Sequence, residues 1–470
     1  MPPVELHVGI VGAGLGGLAA AIALKRGGAK VTILEAATEL GEIGAGIQEG
    51  QIFPNVSRYL IRWGVDEIIG DDLVEVDEVR TWGLNGEVVT RVDSKRVKRI
   101  CGFPHYIARR DHFHAGLTES ATRHGVNIIV GARVNSLEYT PDSVTVTTTK
   151  ADSYRFDLLV GADGIRSFVR QQLFPKVTPR APSKVAAYRG VLTREEILTK
   201  APEAKSVLTN TMDMWTGPNG YIMTYPLSGG KELNVVTSFC KDYYVEKMEE
   251  VDIDEFRAYY KDYSPAIQSI IKLVNYTQRW PLLVMPPMET WSNEYKNVVL
   301  LGDACHCMQN HTGQGAGTAQ EDGVFLGRVM SEVVRGVLTV PEAVGLYEKK
   351  RMPRAWTKQQ ISLVSGELNM CSDLENLAKR DQASSPEVVL PEDGARFPGL
   401  PPNYRSWQVF DSPDSVPGIF YYDAEGDADN AVCEYLQERD RENGQVDSLT
   451  MVSKSLSRKW WSAVDYNGID

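Results

Sequence analysis

A glycine-rich turn near the N-terminus constrains the fold of this chain more than any other feature. The turn, GAGLGG at residues 12–17, follows an apolar run at 6–11 and opens a helical pattern at 15–26. The apolar run at 31–34 predicts a second buried strand, with Glu35 at its carboxyl end. Strand, glycine turn, helix and strand form a βαβ unit. Such a unit binds a dinucleotide pyrophosphate at the N-terminus of its helix.

The residues of this turn have separate physical roles. Gly12 permits the tight turn, Gly14 lets the backbone approach a pyrophosphate, and Gly17 lets helix and strand pack closely. Glu35 is placed to accept hydrogen bonds from ribose hydroxyls, and its charge disfavours a 2′-phosphate. The motif alone does not distinguish an NAD site from an FAD site or from a merely structural turn.

Two later segments each place an aspartate at the end of a buried strand. The first, DGIRSFVR at 163–170, follows a predicted strand around 154–160. The second, GDACH at 302–306, follows the apolar run 298–301 and precedes GQG at 313–315. Three such motifs in this order predict a site for a flavin dinucleotide.

The third motif supplies the features that favour FAD over NAD. Asp303 ends a strand where its carboxylate reaches a ribityl hydroxyl. The helix that begins at Gly315 directs its positive N-terminal dipole at the N1/O2 edge of a flavin, where reduction adds negative charge. Asp163, taken alone, also fits the cap of a helix. The three motifs together predict FAD, bound non-covalently.

Composition excludes several classes of partner. The 470 residues carry a net charge of −12 without a block of Lys or Arg, which disfavours nucleic acid and anionic membranes. Six scattered cysteines without a CxxC pair predict a reducing, cytoplasmic setting and no metal, although Cys305-His306-Cys307 superficially resembles a ligand set. The apolar run at 8–24 is rich in glycine and is better explained as strand, turn and helix than as an anchor.

The order of patterns predicts an α/β fold of two or three domains. Helical patterns cover 15–26, 55–69, 111–124, 252–274, 315–335, 341–370 and 423–443. Strand patterns cover 6–11, 31–34, 75–92, 127–138, 143–149, 154–160, 184–240 and 298–301. We therefore predict a Rossmann-like FAD-binding domain interleaved with a β-sheet substrate domain, plus a C-terminal helical and irregular region. The predicted FAD-binding segments are 1–74, 106–175 and 286–370 (which includes the long helices); the substrate segments are 75–105 and 176–285; the C-terminal region is 371–470.

On these motifs the chain resembles the class A FAD-dependent aromatic hydroxylases with the p-hydroxybenzoate hydroxylase fold. Within them it is most similar to the salicylate hydroxylase-like branch. The resemblance runs from about residue 6 to 370 and includes further matches: EIGAGIQ at 42–48, RRD at 109–111, YRG at 188–190, Tyr347, Arg351 and Arg354, and the late YYDA at 421–424.

The resemblance implies a single-component monooxygenase. NADH or NADPH reduces the FAD, and O2 then forms a C4a-hydroperoxyflavin that hydroxylates a phenolic or carboxylated aromatic, with or without decarboxylation. It implies a small aromatic substrate and a monomer or homodimer. By similarity, the residues that contact FAD are Gly12, Gly14, Gly17, Glu35, Gly46, Arg109, Asp163, Asp303, Gly315 and Ala316.

In relatives that hydroxylate phenols, residues matching Arg189 and Tyr225 orient and ionise the substrate hydroxyl. A guanidinium is charged at every relevant pH and stabilises a phenolate, which is far more nucleophilic than a phenol. Tyr225, at the end of a predicted strand, is placed to relay the proton. The alternatives are an Arg189 paired with a surface carboxylate and a Tyr225 that belongs only to the core.

The chain departs from the family at Asn310, where the pattern normally has a proline four positions beyond the motif histidine. His306 is interpreted as structural, and His311 is left undecided. Two other functions stay open: the same oxidant acting on a polyketide or indole-type metabolite by dearomatisation or epoxidation, and a non-catalytic carrier on a flavoprotein scaffold, of the kind that binds prenylated proteins. The carrier predicts eroded FAD motifs, whereas all three motifs are intact.

Overall fold

Two large sheets of different character organise the chain. The computed structural model describes residues 4–41, 50–383 and 419–442. The strands of these ranges, in chain order, are β1 His7–Val11, β2 Lys30–Leu34, β3 Gln51–Ile52, β4 Val74–Glu75, β5 Glu78–Trp82, β6 Val88–Asp93, β7 Tyr106–Ile107, β8 Asn127–Ile129, β9 Val134–Thr140, β10 Ser143–Thr148, β11 Ser153–Phe156, β12 Leu158–Gly161, β13 Val185–Thr193, β14 Thr211–Gly217, β15 Gly220–Leu227, β16 Glu232–Cys240, β17 Glu249–Glu250, β18 Gln278–Pro281 and β19 Val298–Leu300.

Helices connect and cover these strands. In the described ranges they are α1 Leu15–Arg26, α2 Pro54–Arg62, α3 Val65–Ile69, α4 Ser94–Cys101, α5 Arg110–Arg123, α6 Phe168–Leu173, α7 Arg194–Lys200, α8 Ile253–Ala258, α9 Pro265–Leu273, α10 Asp303–His306, α11 Gly315–Val334, α12 Val340–Asn369, α13 Leu374–Ala383 and α14 Ala424–Glu442. Short 3₁₀ turns lie at Gly70–Asp72, Pro202–Val207 and Ser228–Gly230.

The first large sheet is parallel and has the strand order β19-β12-β1-β2-β8. Strands β1, β12 and β19 are almost continuously apolar because helices cover both faces of such a sheet. All three flavin motifs follow strands of this sheet, so their turns meet at its carboxyl edge.

The second large sheet has the order β17-β18-β13-β16-β15-β14-β5-β6. It is antiparallel except where β14 runs parallel to β5. Alternate side chains of each strand enter two separate apolar clusters: Ala187 and Met223 lie in one, whereas Tyr188 and Ile222 lie in the other. Its strands come from chain segments between those of the parallel sheet, so the predicted interleaved α/β fold is confirmed.

The predicted domain borders fall close to small structural units. Strands β3, β7 and β4 form a three-stranded antiparallel sheet, and its members lie on both sides of the borders predicted at 74/75 and 105/106. Another three-stranded sheet, β11-β10-β9, extends from the FAD-binding part. The domain borders themselves stay predictions.

Four predicted elements were wrong in extent, because each is two elements in the structure. The helix expected at 55–69 breaks at Gly64 and the strand at 127–138 breaks near Gly131, and both glycines have positive φ. The strand at 154–160 divides at Asp157 between two sheets. The helix at 252–274 breaks before Pro265, which starts α9 because a proline fits a first helical turn but not a helix interior.

Candidate active site

The glycine turn joins β1 to α1 and leaves open space at one position only. Gly12 has a φ of +102°, and a Cβ there would lie 2.6 Å from the Ala162 carbonyl oxygen. A Cβ on Gly17 would lie 2.2 Å from the Gly12 carbonyl oxygen. At Gly14, which precedes α1, nothing lies within 4 Å. Two glycines therefore permit close packing, and the third borders open space at the start of α1.

Two cavities flank this turn, each with a volume of about 220 Å³. Gly14, Leu15 and Arg110 line both cavities, which makes them neighbouring parts of one groove across the N-terminus of α1. The first cavity extends to the loop 308–316 and is here called the flavin-side cavity. The second extends to Glu35 and is called the adenosine-side cavity.

Glu35 is fixed at the mouth of the adenosine-side cavity. Its Oε2 accepts a hydrogen bond from the Ala13 amide and its Oε1 accepts one from the Ala37 amide, both at 2.7 Å. The glycine turn and the carboxylate are therefore tied to each other. Glu35 lines the cavity, and a carboxylate suits the hydroxyls of a ribose.

Asp303 and the start of α11 lie together in the flavin-side cavity. Asp303 is exposed, and it lines the cavity with Gly315 and Ala316. A Cβ on Gly315 would meet only Met308, at 3.9 Å, so space is open at the N-terminus of α11 as it is at Gly14. The carboxylate and the free N–H groups of a helix N-terminus suit a ribityl chain and an anionic ring edge respectively.

Asp163 holds the second motif in shape. Its Oδ2 accepts a hydrogen bond from the Val169 amide at 3.1 Å, and burial raises the pKa of this carboxyl. Its neighbours Ala162 and Gly164 line the flavin-side cavity, while Asp163 itself is not among the lining residues. The N-cap of α6 is Ser167 and not Asp163, although Asp163 accepts a bond from the first turn of that helix. A contact between Asp163 and FAD stays a prediction.

Arg170 gives the second motif a role that sequence reasoning missed. Its buried guanidinium donates to the Ile165 carbonyl at 2.7 Å and to the Ala304 carbonyl at 2.9 Å. Residue 304 belongs to the third motif, so this side chain holds two flavin motifs in register. Arg170 is the last residue of the DGIRSFVR motif, so the sequence contained the signal. Its partner Ala304 lies 134 positions away, which a local pattern does not show.

Arg110 is a second residue that sequence reasoning missed. The guanidinium of Arg109 donates to Asp111 at 2.6 Å and to Glu232 at 3.2 Å, and Arg109 lines neither cavity. Arg110 lines both. Adjacent arginines in a strand-to-helix turn point in different directions. The sequence alone therefore could not decide which of the two faces the cavities. Gly46, also predicted to contact FAD, lies outside the described residues.

Asn310 is the departure from the family pattern, and it lines the flavin-side cavity. Both its Oδ1 and its Nδ2 are buried, and neither has a hydrogen-bond partner among the described residues. Burying an amide without partners costs about 1–3 kcal/mol. Such a group is therefore suited to a ligand in the cavity.

Arg189 lies on β13 and Tyr225 on β15, and β16 runs between these two strands of the second sheet. Arg189 Nε donates to Asn234 Oδ1 at 2.9 Å, and the β15–β16 register places Asn234 directly opposite Tyr225. Tyr225 is completely buried in the apolar cluster that also contains Phe420 of the C-terminal segment. The three polar side chains thus form a group on one face, here called the Arg189 group.

His311 connects the loop beside the flavin-side cavity to the same sheet face. Its Nδ1 shares a hydrogen bond of 2.8 Å with the Tyr221 hydroxyl, and burial lowers the pKa of the imidazole to about 3. A Cβ on Gly366 of α12 would lie 2.5 Å from the His311 ring, so the ring is held between sheet and helix. His311 is neutral near pH 7, which makes it a poor general base there and a suitable neutral hydrogen-bonding group.

His306 is part of a buried ionic network. Its Nε2 lies 2.5 Å from Asp322 Oδ2, and Arg351 Nε donates to Asp322 Oδ1 at 2.8 Å. Arg351 also donates to Glu321 at 2.8 Å and to the Tyr422 hydroxyl at 2.8 Å. These contacts place His306 within the network that joins α10, α11, α12 and the C-terminal segment.

The ranges that the structure describes contain neither a metal-binding cluster nor a membrane-spanning helix. No group of three or more His, Cys, Asp or Glu side chains is arranged to hold a metal ion. No helix of those ranges is long and apolar enough to cross a membrane. All six cysteines are free thiols.

Comparison with known proteins identifies the family. The FAD binding domain family matches residues 5–362, and the chain belongs to it. A 3-hydroxybenzoate 6-hydroxylase from Klebsiella oxytoca is 32% identical over 80% of this chain and 93% of its own length. The FAD-dependent monooxygenase OpS4 of Beauveria bassiana is 29% identical over 91% of this chain and 97% of its own length. The structure of a salicylate hydroxylase substrate complex has the same fold, with a TM-score of 0.72 and 20% identity over 91% of this chain and 98% of that one.

The predicted class is confirmed by these comparisons: the protein is an FAD-dependent monooxygenase of the aromatic hydroxylase type that uses NAD(P)H. The site fits the cofactor, because the open positions at Gly14 and Gly315 face the groove that Glu35 and Asp303 border. When bound, the flavin supplies the activation of O2. The protein supplies the binding, the orientation and the electrostatics for that chemistry.

Proposed function

We propose that this enzyme hydroxylates a small phenolic aromatic, and that the Arg189 group binds the phenolic oxygen. The observation that carries the proposal is the convergence of a guanidinium, an amide and a tyrosine on one face of the substrate sheet. The hydroxybenzoate hydroxylases to which the chain is similar act on a phenolic ring, as their names state.

Each member of the Arg189 group has a defined task in this proposal. Arg189 stabilises the phenolate by its charge, while Asn234 fixes the guanidinium through the bond to Nε. Asn234 Nδ2 is buried without a partner among the described residues and is available as a second donor to the substrate oxygen. Tyr225 relays the phenolic proton.

We further propose the roles of the cofactor-binding residues. Gly12, Gly14 and Gly17 shape the pyrophosphate turn, Arg110 contacts the pyrophosphate, and Glu35 binds the ribose. Arg110 replaces Arg109 in this proposal because Arg110 lines both cavities. The predicted contacts of Gly46, Asp163, Asp303, Gly315 and Ala316 with FAD are retained. A cytoplasmic location and a monomer or homodimer are proposed from composition and family.

A larger polyketide or indole-type substrate is the second candidate. It is favoured by the apolar cluster on the sheet face, where Met212, Met214 and Met223 give a surface that adapts to different shapes. Phe420 of the C-terminal segment completes this cluster, and the full-length similarity to OpS4 includes that part of the chain.

A substrate panel distinguishes the two candidates. Purified holoenzyme is given NADH or NADPH and one aromatic at a time: hydroxybenzoates, neutral phenols, and larger phenolic polyketides or indoles. We expect a hydroxybenzoate or a simple phenol to stimulate NAD(P)H oxidation and to gain one oxygen atom from ¹⁸O2 by mass spectrometry. Oxygen transfer only to the larger compounds would refute the first proposal and support the second. Holoenzyme that transfers oxygen to no aromatic would refute both.

A further inference from the structure

Lys358 is a buried cation beside the N-terminus of α11. Its Nζ donates to Gln314 Oε1 at 3.1 Å and to Glu321 Oε1 at 2.8 Å, and the residue is only 3% exposed. Gln314 stands between Gly313 and Gly315, two residues that line the flavin-side cavity. The lysine therefore contacts the turn from which α11 directs its free N–H groups at the cavity.

Glu321 has enough partners without this lysine. Arg351 and Arg354 each donate to Glu321 at 2.8 Å, and Asn55 donates to it at 2.6 Å. A fourth donor that is also a full charge goes beyond what one carboxylate requires. The position of Lys358 therefore calls for an explanation other than the neutralisation of Glu321.

Among the residues that the structure describes, the buried network around Lys358 contains more cations than carboxylates. Two carboxylates, Glu321 and Asp322, pair there with three cations, Arg351, Arg354 and Lys358. Glu321 belongs to the second turn of α11, so the excess lies close to the helix end that already carries a partial positive charge. Because Lys358, Glu321 and Arg351 are buried, a charge here is screened less than one at the surface.

We propose that Lys358 is a positioning residue that adds positive charge behind the N-terminus of α11 and thereby makes the bound FAD easier to reduce. Reduction would add negative charge to a flavin bound in this cavity, and a fixed cation behind the N-terminus of α11 would stabilise that charge. Lys358 acts through Gln314, because its ammonium donates to the side-chain oxygen of that residue. The Nε2 of Gln314 is buried and has no partner among the described residues. The inference rests on FAD binding, which the family establishes, and not on the choice of substrate.

The ionisation of Lys358 fits this role. Burial lowers the pKa of its ammonium to about 7, against the opposing effect of Glu321 and with a further lowering by Arg354. Below that pH the side chain carries its charge. A pH of about 6 is therefore suitable for the test, since the wild-type lysine is then mostly protonated.

The test measures the midpoint potential of FAD in holoenzyme at about pH 6. For Lys358→Gln we expect the equilibrium constant of the two-electron reduction to fall about tenfold, which is about 30 mV towards negative potential. Lys358→Arg keeps the charge and is expected to retain the wild-type potential. Lys350→Gln is the matched control, because Lys350 lies on the same helix but pairs with Glu434 at its partly exposed surface.

The outcomes separate tuning from a structural role. A wild-type potential in Lys358→Gln overturns the proposal. If neither Lys358→Gln nor Lys358→Met holds FAD while Lys350→Gln does, Lys358 is a structural residue and the proposal is also wrong. Neither result affects the substrate assignment, which the panel of aromatics tests independently.

Discussion

Gly14 and Gly315 illustrate what the sequence can predict at the scale of single residues. Each opens a helix at the edge of the groove, and each has open space where a side chain would begin. Their roles in admitting the cofactor follow from local chemistry, because a glycine at the start of such a helix has few other uses. The Arg109/Arg110 pair shows the limit, since only the direction of the backbone decides which guanidinium faces the cavities.

Asp303 provides the first residue-scale prediction. Asp303→Ala should raise the dissociation constant of FAD about 10- to 150-fold, because a charge-assisted hydrogen bond contributes about 1.5–3 kcal/mol. Fluorescence titration of apoprotein with FAD measures this. Asp303→Asn keeps an acceptor without the charge and should lie between wild type and Asp303→Ala. Unchanged affinity in both variants would remove Asp303 from the flavin site.

Arg189 provides the second residue-scale prediction. Arg189→Ala should fold and hold FAD but lose product formation about 10²- to 10³-fold, the usual effect of removing a partner of developing negative charge. Arg189→Lys keeps the charge without the fork that bonds to Asn234, and should recover only part of the rate. Product is quantified against FAD content. A wild-type rate in Arg189→Ala with the true substrate would show that another group stabilises the phenolate.

Asn310 provides the third residue-scale prediction, which concerns how tightly oxygen transfer is coupled to NAD(P)H oxidation. Its amide is buried without a partner among the described residues, so we expect it to bind substrate or the oxidant. Asn310→Pro restores the family pattern but removes the amide, and should raise the peroxide released per NAD(P)H consumed. Asn310→Ala tests loss of the amide without a fixed φ. Equal ratios of peroxide to product in all three proteins would make Asn310 a neutral substitution.

At the scale of elements, the sequence predicted which segments form helices and strands better than where they end. Pro265 and Gly64 carried the signals for two of the breaks, because one starts a helix and the other adopts positive φ. The parallel pairing of β14 with β5 had no local signal, since it joins segments more than a hundred residues apart. Long-range pairing is decided by packing, which a single segment does not encode.

The contact between α1 and α11 gives the element-scale prediction. A Cβ on Gly323 would lie 2.6 Å from the Ala20 backbone nitrogen. Gly323→Ala should therefore separate the helices and lower the free energy of unfolding by about 1–3 kcal/mol. Gly345 in α12 is the control, because nothing lies within 4 Å of its Cβ position. Alanine there should raise the free energy of unfolding by about 0.5–1 kcal/mol. Thermal melts of the two variant holoenzymes measure how far each substitution shifts the melting temperature. Equal shifts in the two variants would refute the close-packing argument.

At the scale of the whole molecule, the buried ionic network joins parts that no local pattern connects. Arg351 and Arg354 extend from α12 to Glu321 on one side and to the ring of Tyr422 on the other. The resemblance pointed to these residues as a shared pattern without giving their contacts. Glu321 lies 30 positions from Arg351 and 33 from Arg354, so only the folded chain explains why these residues occur together.

Buried neutral histidines should make the whole molecule sensitive to acid. Burial lowers the pKa of His105 to about 3, whereas an unfolded histidine titrates near its ordinary value of 6.5. The unfolded chain then binds a proton that the folded chain does not, so stability falls as the pH drops through 6.5 and continues to fall towards 3. At about pH 5 this single group costs about 2 kcal/mol.

His105→Phe should remove that loss while keeping the ring stacked on Phe53, 4.4 Å away between centroids. We expect the variant to lose less stability than wild type between about pH 7 and about pH 5, measured by urea unfolding of holoenzyme with excess FAD. His311, whose pKa burial also lowers to about 3, is retained in both proteins, so it contributes equally to each. An identical pH dependence in the two proteins would mean that His105 becomes protonated inside the fold, which its burial beside Phe53 and Phe420 opposes.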